Sequence, residues 1–245
     1  MKTRLDQLLV EKGIFPSRTR AQAAILEGII FVNGERVDKA GAFFSPETAI
    51  EIRGEPLPYV SRGGIKLAKA LEEFQIEVKG RVVLDIGAST GGFTDCLLQQ
   101  GAAQVYAIDV GYGQLAWKLR QDPRVVVVER QNVRYLTPEV LYKDQPKANL
   151  AVIDVSFISL AKVLPAVYTL LAAPAEVVAL IKPQFEAERE QVGKGGLVKN
   201  EQVHQAVVAK VQQAASENGF TVKNLIPSPI TGADGNKEFL IHLII

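Results

Sequence analysis

Four charged residues stand at the ends of apolar runs: Asp85 in "RVVLDI", Asp109 after "QVYAI", Asp154 after "NLAVI" and Lys182 after "VVALI". If those runs are parallel strands, all four map to their carboxyl ends, where open α/β sheets hold ligands. Carboxylates there can accept hydrogen bonds from hydroxyls or face a cationic amine. A lysine there can move a proton, provided that it is neutral. The reference lysine pKa is about 10.4, so burial or a neighbouring cation must lower it, while nearby carboxylates oppose that.

A glycine-rich loop follows the first of these runs, in "VLDIGASTGGFTDCLLQQG". Gly87, Gly91 and Gly92 allow close backbone approach to a ligand, with Ser89 between them, and the loop leads into a helix N-terminus suited to an anion. Tight strand–helix packing is the alternative reason for the glycines. The dinucleotide pattern G-x-G-x-x-G is absent, and no G-K-[ST] closes a phosphate loop. Asp85 at the loop entrance suits a cationic amine, and Asp109 suits two ribose hydroxyls. After the third run, "ERQNVR" places Asn132 near a base. An adenosine with an amino-acid end fits this set, which describes S-adenosylmethionine.

These residues need a frame. From Val82 onward, apolar runs alternate with longer amphipathic connections, the rhythm of buried parallel strands and crossover helices. Seven strands are predicted. The last two, "TVKNLI" and "EFLIHLII", have a short link, "PSPITGADGNK", which suits an antiparallel pair. Residues 1–57 have a different rhythm. "RLDQLLVEKG" and "PSRTRAQAAILEG" are helices ending at Gly13 and Gly28, the second with Ser17 as N-cap. Asn33-Gly34 in "IIFVNGERV" predicts a hairpin, and "TAIEIRG" another strand. The fold class is therefore α/β: a small N-terminal module over residues 1–57, a Pro-containing linker over 58–65 that leads into the helix of "SRGGIKLAKALEEF", and a doubly wound, Rossmann-like domain over 66–245 whose last strand is antiparallel. In that helix Lys66 and Lys69 lie near the N-terminus, where positive charge is disfavoured.

Composition excludes several classes. The chain has 245 residues and a formal net charge of +1, so any basic patch is local rather than global. Cys96 is the one cysteine, so no intrachain disulfide forms, and two separated histidines, His204 and His242, give no zinc spacing. The charged start "MKTRLDQLLVEKG" lacks a signal-peptide core. The most apolar region, residues 150–181, is interrupted by Asp154, Lys162, Pro165, Pro174 and Glu176, against a membrane span. A cytoplasmic protein is expected.

The loop with Asp85 and Asp109 resembles class I S-adenosylmethionine-dependent methyltransferases. "SRGGIKL", "VIDVSF", "LIKPQFE" and "GNKEFL", in that order, resemble the FtsJ-like ribose methyltransferases, and within them the TlyA family, often labelled hemolysin. "RLDQLLVEKG", "SRTRAQAAILEG" and "VNGERV" are similar to the S4 RNA-binding domain that this family carries. The resemblance implies a Lys-Asp-Lys-Glu tetrad: Lys66, Asp154, Lys182 and Glu238. It implies transfer of a methyl to a cytidine 2′-hydroxyl of ribosomal RNA, with Lys182 as base or hydroxyl-positioning group and the other three tuning and orienting it. It also favours phosphate contacts from Arg4, Lys12, Ser17, Arg18, Arg20 and Lys39. Ribosomal RNA or ribosomal subunits are the partners it implies. The end of the chain soon after the last strand is expected to narrow the choice between the two subunits.

Three other readings compete. A base methyltransferase of this fold needs a catalytic Cys or an Asn/Asp-Pro-Pro loop after the fourth strand, where this sequence has "DVSF". A cytolysin, as the hemolysin label suggests, is opposed by the absent signal peptide and span. A non-catalytic RNA-binding protein would not need all four tetrad positions. Phe185 in "KPQFE" is placed either to stack on a base or in the core. "QVGKGGLVKN" reads as a flexible loop that covers substrate.

Overall fold

The computed structural model describes residues 2–26, 28–54, 57–232 and 235–245. Part of the linker "GEPLPYV" and of the "PSPITGADGNK" link therefore lies outside the described residues. The chain divides into two compact units, Met1–Ser61 and Arg62–Ile245.

In the first unit, β1 (Thr3–Arg4) leads into α1 (Leu5–Glu11) and α2 (Arg18–Leu26), followed by β2 (Ile30–Val32), β3 (Glu35–Arg36), β4 (Phe43–Phe44) and β5 (Ile50–Ile52). Gly13 and Gly28 take positive φ after the two helices. The Ser17 hydroxyl accepts from the Arg20 amide at 3.3 Å, as an N-cap should. Asn33 and Gly34, both at positive φ, turn β2 into β3. Leu5, Leu9, Phe15, Ile25 and Ile30 form its core. The pairing of β1 with β4 was not legible in the sequence, because two-residue strands carry no periodicity.

The second unit opens with α3 (Gly63–Phe74), which buries Lys66, Leu67, Leu71 and Phe74. Then come β6 (Val82–Ile86), α4 (Gly92–Gln99), β7 (Gln104–Ile108), α5 (Trp117–Arg120), β8 (Val125–Val128), α6 (Pro138–Tyr142) and β9 (Leu150–Ile153). They are followed by α7 (Leu164–Leu170), β10 (Glu176–Ile181), α8 (Pro183–Glu186), α9 (Glu201–Glu217), β11 (Thr221–Pro227) and β12 (Phe239–Ile244). The seven strands lie in the order β11-β12-β10-β9-β6-β7-β8. Strands β6 to β10 run parallel, and β12 is antiparallel to both β10 and β11. The last strand thus inserts between the fifth and the sixth. That insertion brings the start of β12 to the carboxyl edge of β9 and β10. No helix among the described residues is long and apolar enough to cross a membrane.

Candidate active site at the carboxyl edge of the sheet

The cofactor loop is built around two acids. Asp85, inside β6, is fully buried, and its Oδ2 accepts a hydrogen bond from Thr94 Oγ1 of α4 at 2.6 Å. Its Oδ1 is buried without a hydrogen-bond partner. Burial, opposed by the Thr94 bond, pushes the Asp85 carboxyl up to about 7. An orphaned, buried carboxylate oxygen is costly unless a donor meets it. Asp109, just past β7, accepts the Ser89 amide on Oδ2 at 2.8 Å and the Gly111 amide on Oδ1 at 2.7 Å. It therefore braces the loop, with the lone pairs that remain available to other donors. Asn132 caps a 3₁₀ turn, its Oδ1 accepting from the Arg134 amide at 3.1 Å.

The glycines have more than one reason to be glycine. A Cβ on Gly87, at φ +87°, would run into the backbone carbonyl of Asp154. One on Gly91, at φ +96°, would meet Leu115 and Leu119. Backbone contact demands glycine at Gly87, while at Gly91, where leucine side-chain ends can shift, the positive φ is the firmer demand. Gly92 begins α4 and is buried. A buried acid with one unpartnered oxygen on the strand that enters the loop, a brace that holds the Ser89 amide and a helix N-terminus beyond it form a donor and acceptor set that fits S-adenosylmethionine.

The tetrad positions form two ion pairs. Lys182, the N-cap residue of α8, has its Nζ 2.6 Å from Asp154 Oδ1 and donates a hydrogen bond to Ser156 Oγ at 2.9 Å. Lys66 of α3 donates to Glu238 Oε2 at 2.5 Å, with side-chain exposures of 10% and 2%. At those exposures the pair is a buried one, so loss of either partner strands a charge. The pairs are neighbours through the sheet. Ile181 faces Phe239 in the β10–β12 ladder, so Lys182 and Glu238 stand opposite each other one step beyond it. Arg62 donates to the Thr231 carbonyl at 3.2 Å, tying the start of α3 to the segment before Glu238. Lys69, by contrast, pairs on the surface with Glu72 and Glu73.

Three supporting residues were missed in the sequence. Thr94 holds Asp85, and Ser156 holds Lys182. The third is Glu186, a buried carboxylate at the end of α8 that accepts from Ser159 Oγ and from the Leu160 amide, each at 2.6 Å. It fixes the loop that follows Asp154, and burial raises its pKa against those two bonds. The glutamate of "LIKPQFE" was the available signal. The "QVGKGGLVKN" segment differs from the flexible loop expected. It makes 3₁₀ turns, and buried Asn236 pins it by accepting from the Val198 amide and donating to the Gly196 carbonyl, each at 2.9 Å. Phe185 stacks obliquely on exposed Phe157 at 4.9 Å, outside the core. His204 is buried against the Val198 carbonyl and His242 stacks on Phe74.

In the first unit, several of the basic residues are committed internally. Buried Asp6 receives both Arg4 (3.1 Å) and Arg18 (2.9 Å), and its pKa is held well below the usual range, chiefly by Arg4. Arg20 donates to the Leu57 carbonyl at 3.2 Å. Lys12 and Lys39 are exposed. Among the described residues no cluster could hold a metal ion.

This strand order, with a glycine loop and strand-end acids, defines an S-adenosylmethionine-dependent methyltransferase fold. An S-adenosylmethionine dependent methyltransferase of Mesorhizobium loti superposes with a TM-score of 0.53 at 16% identity, covering 72% of this chain and 96% of that one, which bears on the fold alone. The family profiles go further: an FtsJ-like methyltransferase matches residues 59–244, and an S4 domain matches residues 3–50. The chain belongs to the FtsJ-like methyltransferase family, whose cofactor is S-adenosylmethionine, and carries an S4 domain at its N-terminal end. It is 46% identical over 243 residues to the 16S/23S rRNA (cytidine-2′-O)-methyltransferase TlyA of Mycobacterium tuberculosis, covering 99% of this chain and 90% of that protein. A solved hemolysin-named protein of Streptococcus thermophilus is 48% identical, with a TM-score of 0.78 over 99% of this chain and 88% of its own.

Proposed function

We propose that this chain is a ribosomal RNA (cytidine-2′-O)-methyltransferase acting in the cytoplasm. The observation that carries the reading is Lys182, held by Asp154 and Ser156 at the carboxyl edge of the sheet, next to the cofactor loop. S-adenosylmethionine supplies the methyl group on an already activated sulfonium. The chain's task is alignment and management of one proton.

Asp85 and the loop through Gly87, Ser89, Gly91 and Gly92 would hold the amino-acid end of the cofactor. Asp109 would take the ribose hydroxyls, and Asn132 would stand beside the base. Lys182 receives the proton of the 2′-hydroxyl or positions that hydroxyl. Asp154 tunes Lys182 electrostatically. Lys66 and Glu238 form the second pair and fix the edge opposite Lys182. Residues 66–245 carry this chemistry, and residues 1–57 hold the RNA, with 58–65 joining them. Lys12 and Lys39 contribute the freest phosphate contacts. Arg4, Arg18 and Arg20 share their donors between the protein and the RNA, and Ser17 caps the helix that presents the latter two.

The test is methyl transfer by Lys182→Ala. Loss of transfer to the ribose with cofactor binding intact supports the assignment, and transfer at the wild-type rate refutes it.

A further inference from the structure

We infer that Ser156 is a positioning residue of the methyl-transfer reaction, its hydroxyl aiming the Lys182 amine at the substrate hydroxyl. The inference rests on the catalytic reading of Lys182 given above.

The two oxygens beside Lys182 Nζ do different things. Asp154 Oδ1 is closer, at 2.6 Å, yet it accepts no hydrogen bond of acceptable geometry. Ser156 Oγ, at 2.9 Å, accepts a properly directed one. A Coulomb contact favours the ammonium charge but fixes no angle, whereas a hydrogen bond weakens steeply as it bends. Asp154 thus supplies charge, and Ser156 supplies direction.

The hydroxyl is also firmly placed. Glu176 pairs with Leu150 in the β9–β10 ladder, an offset of 26, and Lys182 stands at the same offset from Ser156 beyond the ladder's end. The next residue, Phe157, takes a left-handed conformation (φ +62°) that a bulky side chain rarely adopts. Its ring rests on Phe185 of α8. Two residues further on, Ser159 and Leu160 are fastened to Glu186. The short helix that begins beside Lys182 therefore ends in the carboxylate that holds the Ser156 loop. An exposed serine whose loop is tied down at both ends, and whose oxygen receives a lysine, is more than a solvated hydroxyl.

The chemistry explains why a hydroxyl suits this place. A neutral amine has two N–H bonds and one lone pair. With one N–H given to Ser156 Oγ, rotation about Cε–Nζ is restricted and the lone pair is directed. The same bond survives, and strengthens, when the nitrogen becomes an ammonium, so it aims both forms. In the transfer, the hydroxyl oxygen's electron pair forms the new O–C bond. The S–C bonding pair stays on sulfur as a neutral thioether, and the hydroxyl proton passes to the Lys182 lone pair. The ammonium so formed then returns its proton to water.

The test measures steady-state methyl transfer from labelled S-adenosylmethionine to unmethylated ribosomal subunits, using the full chain and its Ser156→Ala, Ser156→Thr and Lys182→Ala variants. Ser156→Ala is expected to lower kcat by about tenfold to a hundredfold, with KM for the subunits and cofactor affinity within about twofold of wild type. Ser156→Thr, which keeps the hydroxyl, is expected to recover most of that loss. An unchanged kcat in Ser156→Ala overturns the inference, as does an effect confined to KM or a threonine variant as slow as the alanine one. Full activity in Lys182→Ala overturns the catalytic reading itself. An inactive Lys182→Ala beside a fully active Ser156→Ala overturns the role of Ser156 alone.

Discussion

Asp85 is fully buried, with one oxygen satisfied by Thr94, one left open and a pKa pushed up to about 7. In the ligand-free protein it is protonated below that pH, and a cationic amine needs it ionised. Cofactor affinity should therefore strengthen as pH rises from about 5.5 to about 7.5, by up to about tenfold per unit below the pKa. Calorimetric titration should find the slope in the wild type and none in Asp85→Asn. Stability runs the other way. Because the folded pKa lies above the unfolded one, the ligand-free protein should lose stability as pH rises from about 4 to about 7. The Lys66–Glu238 pair gives a second prediction at this scale. Glu238→Ala strands Lys66 and should cost about 3 kcal/mol. Lys66→Met with Glu238→Leu should regain much of that in a urea melt while leaving methyl transfer lost. Asp154 and Lys182 were legible in the sequence because they terminate apolar runs. Glu238 was legible as a charge at the start of an antiparallel last strand, Lys66 gained its role only through resemblance, and Thr94, Ser156 and Glu186 were not legible at all. Their roles come from contacts 9, 26 and 26 residues away in sequence, which no local pattern encodes.

At the scale of elements, the parallel strands announced themselves as continuous apolar runs, since β6, β7, β9 and β10 are buried on both faces, while edge strand β8 is half-buried along its length. The insertion of β12 between β10 and β11 did not, because a short link predicts only that the last two strands pair. That insertion decides the site, for it carries Glu238 to the strand ends that hold Asp154 and Lys182. The contact of Gly87 with Asp154 makes the ends of β6 and β9 a single unit. Gly87→Ala combines a positive φ with a collision against backbone and should cost more than about 2 kcal/mol. Thermal melting should register the loss, and cofactor binding should weaken with it. A stable, tight-binding Gly87→Ala protein would show that β6 and β9 can separate at no cost to the site.

The whole molecule divides its work between two units, each with its own core. With a net charge of only +1, RNA binding must come from local basic groups, among which Lys12 and Lys39 are exposed. Replacing both by alanine should weaken binding to ribosomal subunits and flatten its salt dependence by about one unit of slope per lysine. Cofactor affinity should not change, because those lysines lie in the other unit. Arg18 is the less clean probe, since it also neutralises buried Asp6. The most direct measurement is to incubate the full chain with labelled S-adenosylmethionine and separated, unmethylated ribosomal subunits and then to map the labelled nucleotide. The label should sit on the 2′-oxygen of a cytidine and vanish in Lys182→Ala. Label on a base, or none on RNA, would contradict the account.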